Sequence, residues 1–450
     1  NWSEEVVVTT APTLKIKFGD GVIREATLES TGTNILTYTY TIQEGDYGSL
    51  NLSAYDGGVV KDLAGNAYQK NEIQLVGSKI EVQTRAYIEK TNTYYKTLQE
   101  AINSCGTEMT EYIKIKMTND DEYYGTPIEI RAGQKIEIDL NGKKLSSTSI
   151  DRTISNNGEL KINDLSTNQS GSIESDIYNN GMAELNIFGG ITKDVIYNVS
   201  EGEINVTDGT INKIYNNGDG TVNILGGTLY LVTNNGMGII NIYGGIITGL
   251  IKNENQGVLN VNDGIINGVV NNGIGTVKMI GGTIQNSPYG LYIKDANSKV
   301  IIEGGEFKGK TSSIDIPNGM MIKSSSEYET GYVNLLKGKH LAYKIEKGII
   351  VNYLADGATV ELQKPNGEKE EYYSISEAIK NTQTNGSLYK LKMLTNEFIY
   401  NTVEIAQNQN IEIMLDGKAI KSTDAIKSIE KMMNIVTAYT NTGISLLQKT

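Results

Sequence analysis

The sequence predicts an elongated, repetitive all-β protein whose middle third is a parallel β-solenoid with coils of 18 to 19 residues. Three observations lead there. Gly-Gly or Asp-Gly pairs recur with the second glycine at Gly190, Gly209, Gly227, Gly245, Gly264 and Gly282, at steps of 19, 18, 18, 19 and 18 residues, and a longer step of 23 reaches Gly305. Each pair follows a five-residue alternating segment, such as Thr221-Val222-Asn223-Ile224-Leu225 or Val258-Leu259-Asn260-Val261-Asn262, and period two is the mark of a strand. The apolar residues keep the same phase in every repeat, and self-similarity at a fixed short period signals stacked coils.

Within each coil the first strand places its aliphatic pair inward: Leu185/Ile187, Ile204/Val206, Val222/Ile224, Ile240/Ile242, Leu259/Val261 and Val277/Met279. Leu160/Ile162 and Val300/Ile302 extend this to eight coils, a rod of roughly 38 Å at about 4.8 Å per strand. A second row, Asn179, Asn198, Asn216, Asn234, Asn253 and Asn271, is expected at a bend as a stacked structural ladder. The glycine pair supplies a corner, and a third short apolar element, for example Thr228-Leu229 or Thr283-Ile284, completes a three-sided coil.

Composition agrees with this reading. A chain of 450 residues is too long for one core, and 49 glycines against 5 prolines suit many tight turns between short strands. The formal charge of −13 would repel a phosphate backbone, so nucleic acid is not expected as a partner. Cys105 is the single cysteine, which excludes an intrachain disulfide and a cysteine-based zinc site. No apolar run reaches the roughly 18 residues of a membrane span, and no secretion signal opens the sequence. The sequence starts and stops within what read as domains, so it is expected to be a piece of a longer protein, and a monomer.

Residues 1–83 read as short strands and turns: Thr13 to Lys17, Leu36 to Ile42, Leu50 to Ala54 and Asp62 to Ala67. The order Ser3-Glu4-x-Val6-x-Val8-Thr9, the Leu36-Thr37-Tyr38-Thr39-Tyr40 strand followed by Gly45-Asp46, and the closing Asp62-x-Ala64-Gly65-Asn66-Ala67 resemble a bacterial Ig-like repeat of large surface proteins. The resemblance implies a partial β-sandwich, since the usual first strand is missing.

Residues 84–335 open with a short amphipathic helix at Thr97-Leu98-Gln99-Glu100-Ala101-Ile102, followed by strands at Ile113 to Met117 and Ile136 to Leu140 and by Asn141-Gly142-Lys143. The same order returns at Ser374 to Ile379, Leu391 to Leu394 and Ile411 to Lys418, so the chain holds two copies of one unit. A helix before the first coil suits a cap over an otherwise bare solenoid end. This arrangement resembles the opening of right-handed parallel β-helix domains in bacterial surface proteins. Residues 336–450 are read as a connector and a truncated second β-helix unit, with the boundary near 325–345, a Pro365-Asn366-Gly367 turn, and Asn441-Thr442-Gly443 as the first corner of the new solenoid.

Solenoids host polysaccharide lyases and hydrolases, whose acids and bases converge on one groove. Here the outward mid-strand positions read Asn186, Asn205, Asn223, Asn241, Asn260 and Lys278, with Glu184 and Glu203 isolated at strand starts, so no catalytic residue is expected. His340, the only histidine, lies in a basic turn and is expected to be a solvent-exposed loop residue. Asp62, Asp139, Asp164, Asp208 and Asp263 fall in turns, where Asp caps backbone N–H groups, so neither a metal nor a cofactor is expected. Gly218-Asp219-Gly220 lacks the Lys-Ser/Thr of a phosphate loop.

Recognition is expected on the outward surface. Asn205, Asn223 and Asn241 should form an amide row flanked by Phe188, Leu225 and Tyr243, and Tyr178, Tyr197 and Tyr215 should stack on another face. Amides and aromatic rings can bind sugars, although the same rows stabilise stacked coils by themselves. With the two resemblances, these features imply a non-enzymatic extracellular protein of a bacterial cell surface or wall. It would act as an adhesin or display scaffold, with a host or environmental glycan or a matrix protein as partner. A carbohydrate-active β-helix enzyme is the alternative.

Overall fold

The computed structural model describes residues 5–422 apart from 19–21, 44, 45, 47, 68–80, 149–151, 401, 402, 404 and 407. Ser3, Glu4, Gly45 and the Asn441-Thr442-Gly443 segment therefore lie outside the described residues. The chain is all-β, 54% strand and 3% helix, and is built around a parallel β-solenoid.

Ten successive parallel pairings carry the first solenoid sheet from Ile113–Met117 through Lys135–Asp139, Glu159–Asn163, Glu184–Ile187, Glu203–Val206, Thr221–Ile224, Ile239–Ile242, Val258–Val261, Thr276–Met279 and Lys299–Ile302 to Tyr332–Leu335. Side chains in the ladder match rung for rung, Leu185 on Ile204 on Val222 on Ile240, and none of the inward pairs is more than 1% exposed. The stack is longer than the eight coils expected. Two strands join before Glu159–Asn163 and one after Lys299–Ile302, which extends the stack to roughly 53 Å at about 4.8 Å per strand.

At each corner the second glycine takes a left-handed conformation, with φ between 77° and 106° from Gly190 to Gly305. The stacking also needs the absent side chain: a Cβ on Gly245 would sit 2.9 Å from the Gly226 carbonyl of the coil below. After the corner the chain enters the second sheet through Ile191–Asn198, Thr210–Asn216, Thr228–Asn234, Ile246–Asn253 and Ile265–Asn271, again parallel. The three-sided coil takes a modified form here. Its second and third elements run on as one strand, bent by a register shift such as that between Leu229 and Val232, and stay separate only in earlier coils, as Ser172–Ile173 and Asp176–Asn179.

Both ends of the stack are covered. The N-terminal cap is the helix Leu98–Asn103, whose Leu98, Ala101 and Ile102 are buried and whose Thr97 side chain accepts from the Glu100 N–H. A hairpin, Ala86–Ile88 with Thr93–Tyr95, lies beside it and pairs antiparallel with Ile113–Met117. At the far end the hairpin Lys339–Glu346/Ile349–Asp356 pairs antiparallel onto Glu306–Asp315 and stops the parallel growth of the second sheet. His340 belongs to this hairpin. It is 4% exposed and its Nδ1 lies 2.9 Å from the Gly357 carbonyl, so the exposed loop residue expected from the basic turn is instead a buried strand residue. The turn ends earlier, and His340-Leu341-Ala342 is a buried run.

The second unit repeats the cap. Ser374 accepts from the Glu377 N–H at the start of the helix Ile375–Lys380, and Leu388–Met393 pairs parallel with Asn410–Met414. Even the polar fixtures are duplicated: Gln134 donates to the Ile102 carbonyl at 3.0 Å, and Gln409 to the Ile379 carbonyl at 3.2 Å. The two units meet directly, with Ser374 donating to the Ile322 carbonyl at 2.8 Å and Phe398 and Tyr400 packing into the first solenoid's core.

Upstream of the solenoid stand two antiparallel sheets. One has five strands in the order Leu36–Thr39, Val22–Thr31, Thr13–Phe18, Gly48–Asp56 and Glu81–Val82; the other pairs Val6–Thr10 with Val59–Asp62. Ile16, Phe18 and Val82, with Leu50 and Leu52 against them, form a small core on the five-stranded sheet.

Candidate functional site

The buried asparagine row is a continuous wire of amides. From Asn156 through Asn179, Asn198, Asn216, Asn234 and Asn253 to Asn271, each Nδ2 donates to the next Oδ1 at 2.8 to 3.2 Å, and all seven side chains are fully buried. The second N–H of most rungs closes the turn four residues on, as in Asn216 to the Gly220 carbonyl at 2.8 Å. Asn271 ends the wire on the Ser298 hydroxyl. With its donors consumed inside the core, this row is structural and offers nothing to a ligand.

Outside, Asn186, Asn205, Asn223, Asn241 and Asn260 form the expected outward row, joined by side-chain hydrogen bonds of 2.8 to 3.0 Å. Phe188, Leu225 and Tyr243 flank it and are 44%, 50% and 51% exposed. Tyr178, Tyr197 and Tyr215 stand on the second sheet, in register on consecutive coils. Their centroids are 4.7 and 5.6 Å apart, and the Arg152 guanidinium caps Tyr178 at 4.4 Å. Tyr178 and Tyr197 are tilted against each other, and Tyr197 meets Tyr215 edge-on. The tyrosine column and the Asn205, Asn223, Asn241 and Tyr243 group thus sit on different sheets and do not converge on one site.

A charged patch covers the first coils. Glu159, Glu184 and Glu203 are aligned in register on neighbouring strands, so the glutamates at 184 and 203 are not isolated as their sequence setting implied. Each carboxylate nevertheless has a partner: Lys135 and Tyr112 on Glu159, Asn186 on Glu184 and Asn223 on Glu203. The Lys135 bond holds Glu159 below the usual carboxylate range. A general acid needs the opposite shift.

The turn aspartates act as caps. Asp164 takes the N–H groups of Gly142, Ser166 and Gly171, while Asp139 takes those of Asn141 and Leu165. Among the described residues no group of three or more His, Cys, Asp or Glu side chains could hold a metal, and no helix is long and apolar enough to cross a membrane.

A shallow depression of about 470 Å³ lies on the second sheet just before its bend. Its walls are two outward rows on three consecutive coils, Ile191, Thr210 and Thr228 on one side and Lys193, Asn212 and Tyr230 on the other. Tyr230 is 56% exposed. On the next coil, Thr248 closes the end and Gly249 passes close to Tyr230, where an added Cβ would lie 3.4 Å from ring atom Cδ2. Sequence reasoning passed over this site because the strand bend interrupts the alternation from which facing is read. The usable signal was Tyr230 itself, an aromatic at an outward position one coil beyond Lys193 and Asn212. Comparison of the chain with protein families, with curated proteins and with solved structures finds no match.

Proposed function

We propose that this chain is a non-enzymatic extracellular protein of a bacterial surface, working as an adhesin or elongated display scaffold. The observation that carries the reading is the solenoid's construction. Eleven first-sheet strands stack over roughly 53 Å, five of them carry one outward asparagine row, and an internal amide wire from Asn156 to Asn271 joins the middle coils. Such a stack gives length and resistance to proteases, because nearly every backbone group is paired and both ends are capped. The N-terminal sandwich is read as Ig-like and the solenoid as right-handed, from the motifs shared with bacterial surface proteins. The duplicated cap supports the same reading, since docking the second unit on the first is a way to lengthen a rod.

Antibodies against the solenoid, applied to the cells that produce the protein, test its location. Labelling of intact cells supports the proposal; labelling only after permeabilisation contradicts it.

A further inference from the structure

We propose that the depression beside Tyr230 is a binding site for a neutral, linear oligosaccharide lying along the rod axis. This deepens the surface-rod reading and rests on it.

Four features select the ligand. The strands flanking the depression are inner members of a parallel ladder with a coil on either side, so an added peptide strand has no sheet edge to join. Recognition therefore falls to side chains. Tyr230 supplies an open ring, and the hydroxyls of Thr210 and Thr228 line the trough. Asn212 spends one N–H on the Lys193 carbonyl at 2.8 Å, which leaves its amide oxygen to accept from a ligand hydroxyl. An exposed ring beside hydroxyl and amide groups suits the apolar face and equatorial hydroxyls of a pyranose.

Charge selects a neutral ligand. The one cation in the wall, Lys193, is held by Glu174 at 2.7 Å, so an anionic ligand would have to break that pair. Geometry selects a linear one. The two rows repeat with the coil spacing of about 4.8 Å, close to the length of one sugar, and three coils span roughly 14 Å. Each coil then addresses one sugar, with Tyr230 stacking the terminal unit.

The test is calorimetric titration of the chain with neutral β-linked oligomers of glucose, xylose, mannose and N-acetylglucosamine, one to six units long. Affinity in at least one series should rise up to about three units and then level off. Tyr230→Ala should weaken that binding about ten-fold or more. Asn212→Ala should weaken it less, and Tyr243→Ala should leave it unchanged. Thermal midpoints of the three variants control for folding, and all three positions face outward. The site is overturned if no neutral oligomer binds or if Tyr230→Ala binds as the parent does. A loss caused by Tyr243→Ala instead would move the site to the first sheet and leave the surface-rod reading standing, whereas shortened oligomers in the cell would overturn both.

Discussion

Asn205 and Asn216 carry the same side chain on adjoining strands, yet burial gives them different tasks. Asn216 is fully buried and serves three partners: it donates to the Gly220 carbonyl and Asn234, and accepts from Asn198. Removing it strands each of them in a dry core, where an unmet polar group costs about 1–3 kcal/mol. Asn216→Ala should therefore destabilise the solenoid by roughly 3 kcal/mol in urea unfolding, while Asn205→Ala, on the solvent face, should cost under about 1 kcal/mol. Equal losses would contradict the division between inner wire and outer row. The inner row was legible because Asn recurs with a glycine four residues later. At Gly220 a Cβ would lie 2.4 Å from Asn198 Nδ2, so the pattern records a contact. His340 was misjudged because a single histidine carries no periodicity, and its burial depends on its own hairpin docking onto the strand Glu306–Asp315.

The duplicated caps differ in one telling respect. In the first, Asp121 accepts from the Leu98 N–H at 2.8 Å with Arg85 at 3.2 Å. In the second, Glu397 takes the matching Ile375 N–H but is fully enclosed, faces the carboxylate of Glu377, and has no cation paired with it among the described residues. Burial pushes Glu397 up to about 8 from an ordinary 4.5, with Glu377 adding to the rise, so its folded form binds a proton that the unfolded chain releases more easily. The stabilising contribution is complete below about pH 4.5 and is lost as pH climbs through about 8.

Thermal midpoints measured from about pH 5 to about pH 9 should fall for the second unit, and Glu397→Gln should flatten the fall. An unchanged slope in the variant would place the titration elsewhere. A smaller effect belongs to the helix start: Ser374→Ala should cost about 1 kcal/mol for the cap, and somewhat more because Ser374 also donates to Ile322 across the junction. Equal costs for Ser374→Ala and Thr97→Ala would argue against that cross-unit bond. The duplication itself was legible in the order of helix, strand and a Gly-Lys turn that follows Asn141 in the first copy and Asp416 in the second. The difference between the two carboxylates was not, because it depends on what each cap packs against.

Taken whole, the molecule is a stack with covered ends. Its central coils were readable because the glycine pairs keep strict time, whereas the outer strands lack that beat: Asn141-Gly142 turns the early coil, and 33 residues separate Ile302 from Leu335 at the late one. The Tyr230 depression escaped notice for a related reason, since a bend in mid-strand shifts which residues face outward. The stack's aligned glutamates are paired, and the outer asparagine row recurs over five coils from Asn186 to Asn260.

The most direct test is to incubate the purified chain with immobilised polysaccharides and matrix proteins and to follow both retention and released products. The account predicts retention on at least one surface with no new reducing ends or unsaturated sugars. Release of either product would contradict it.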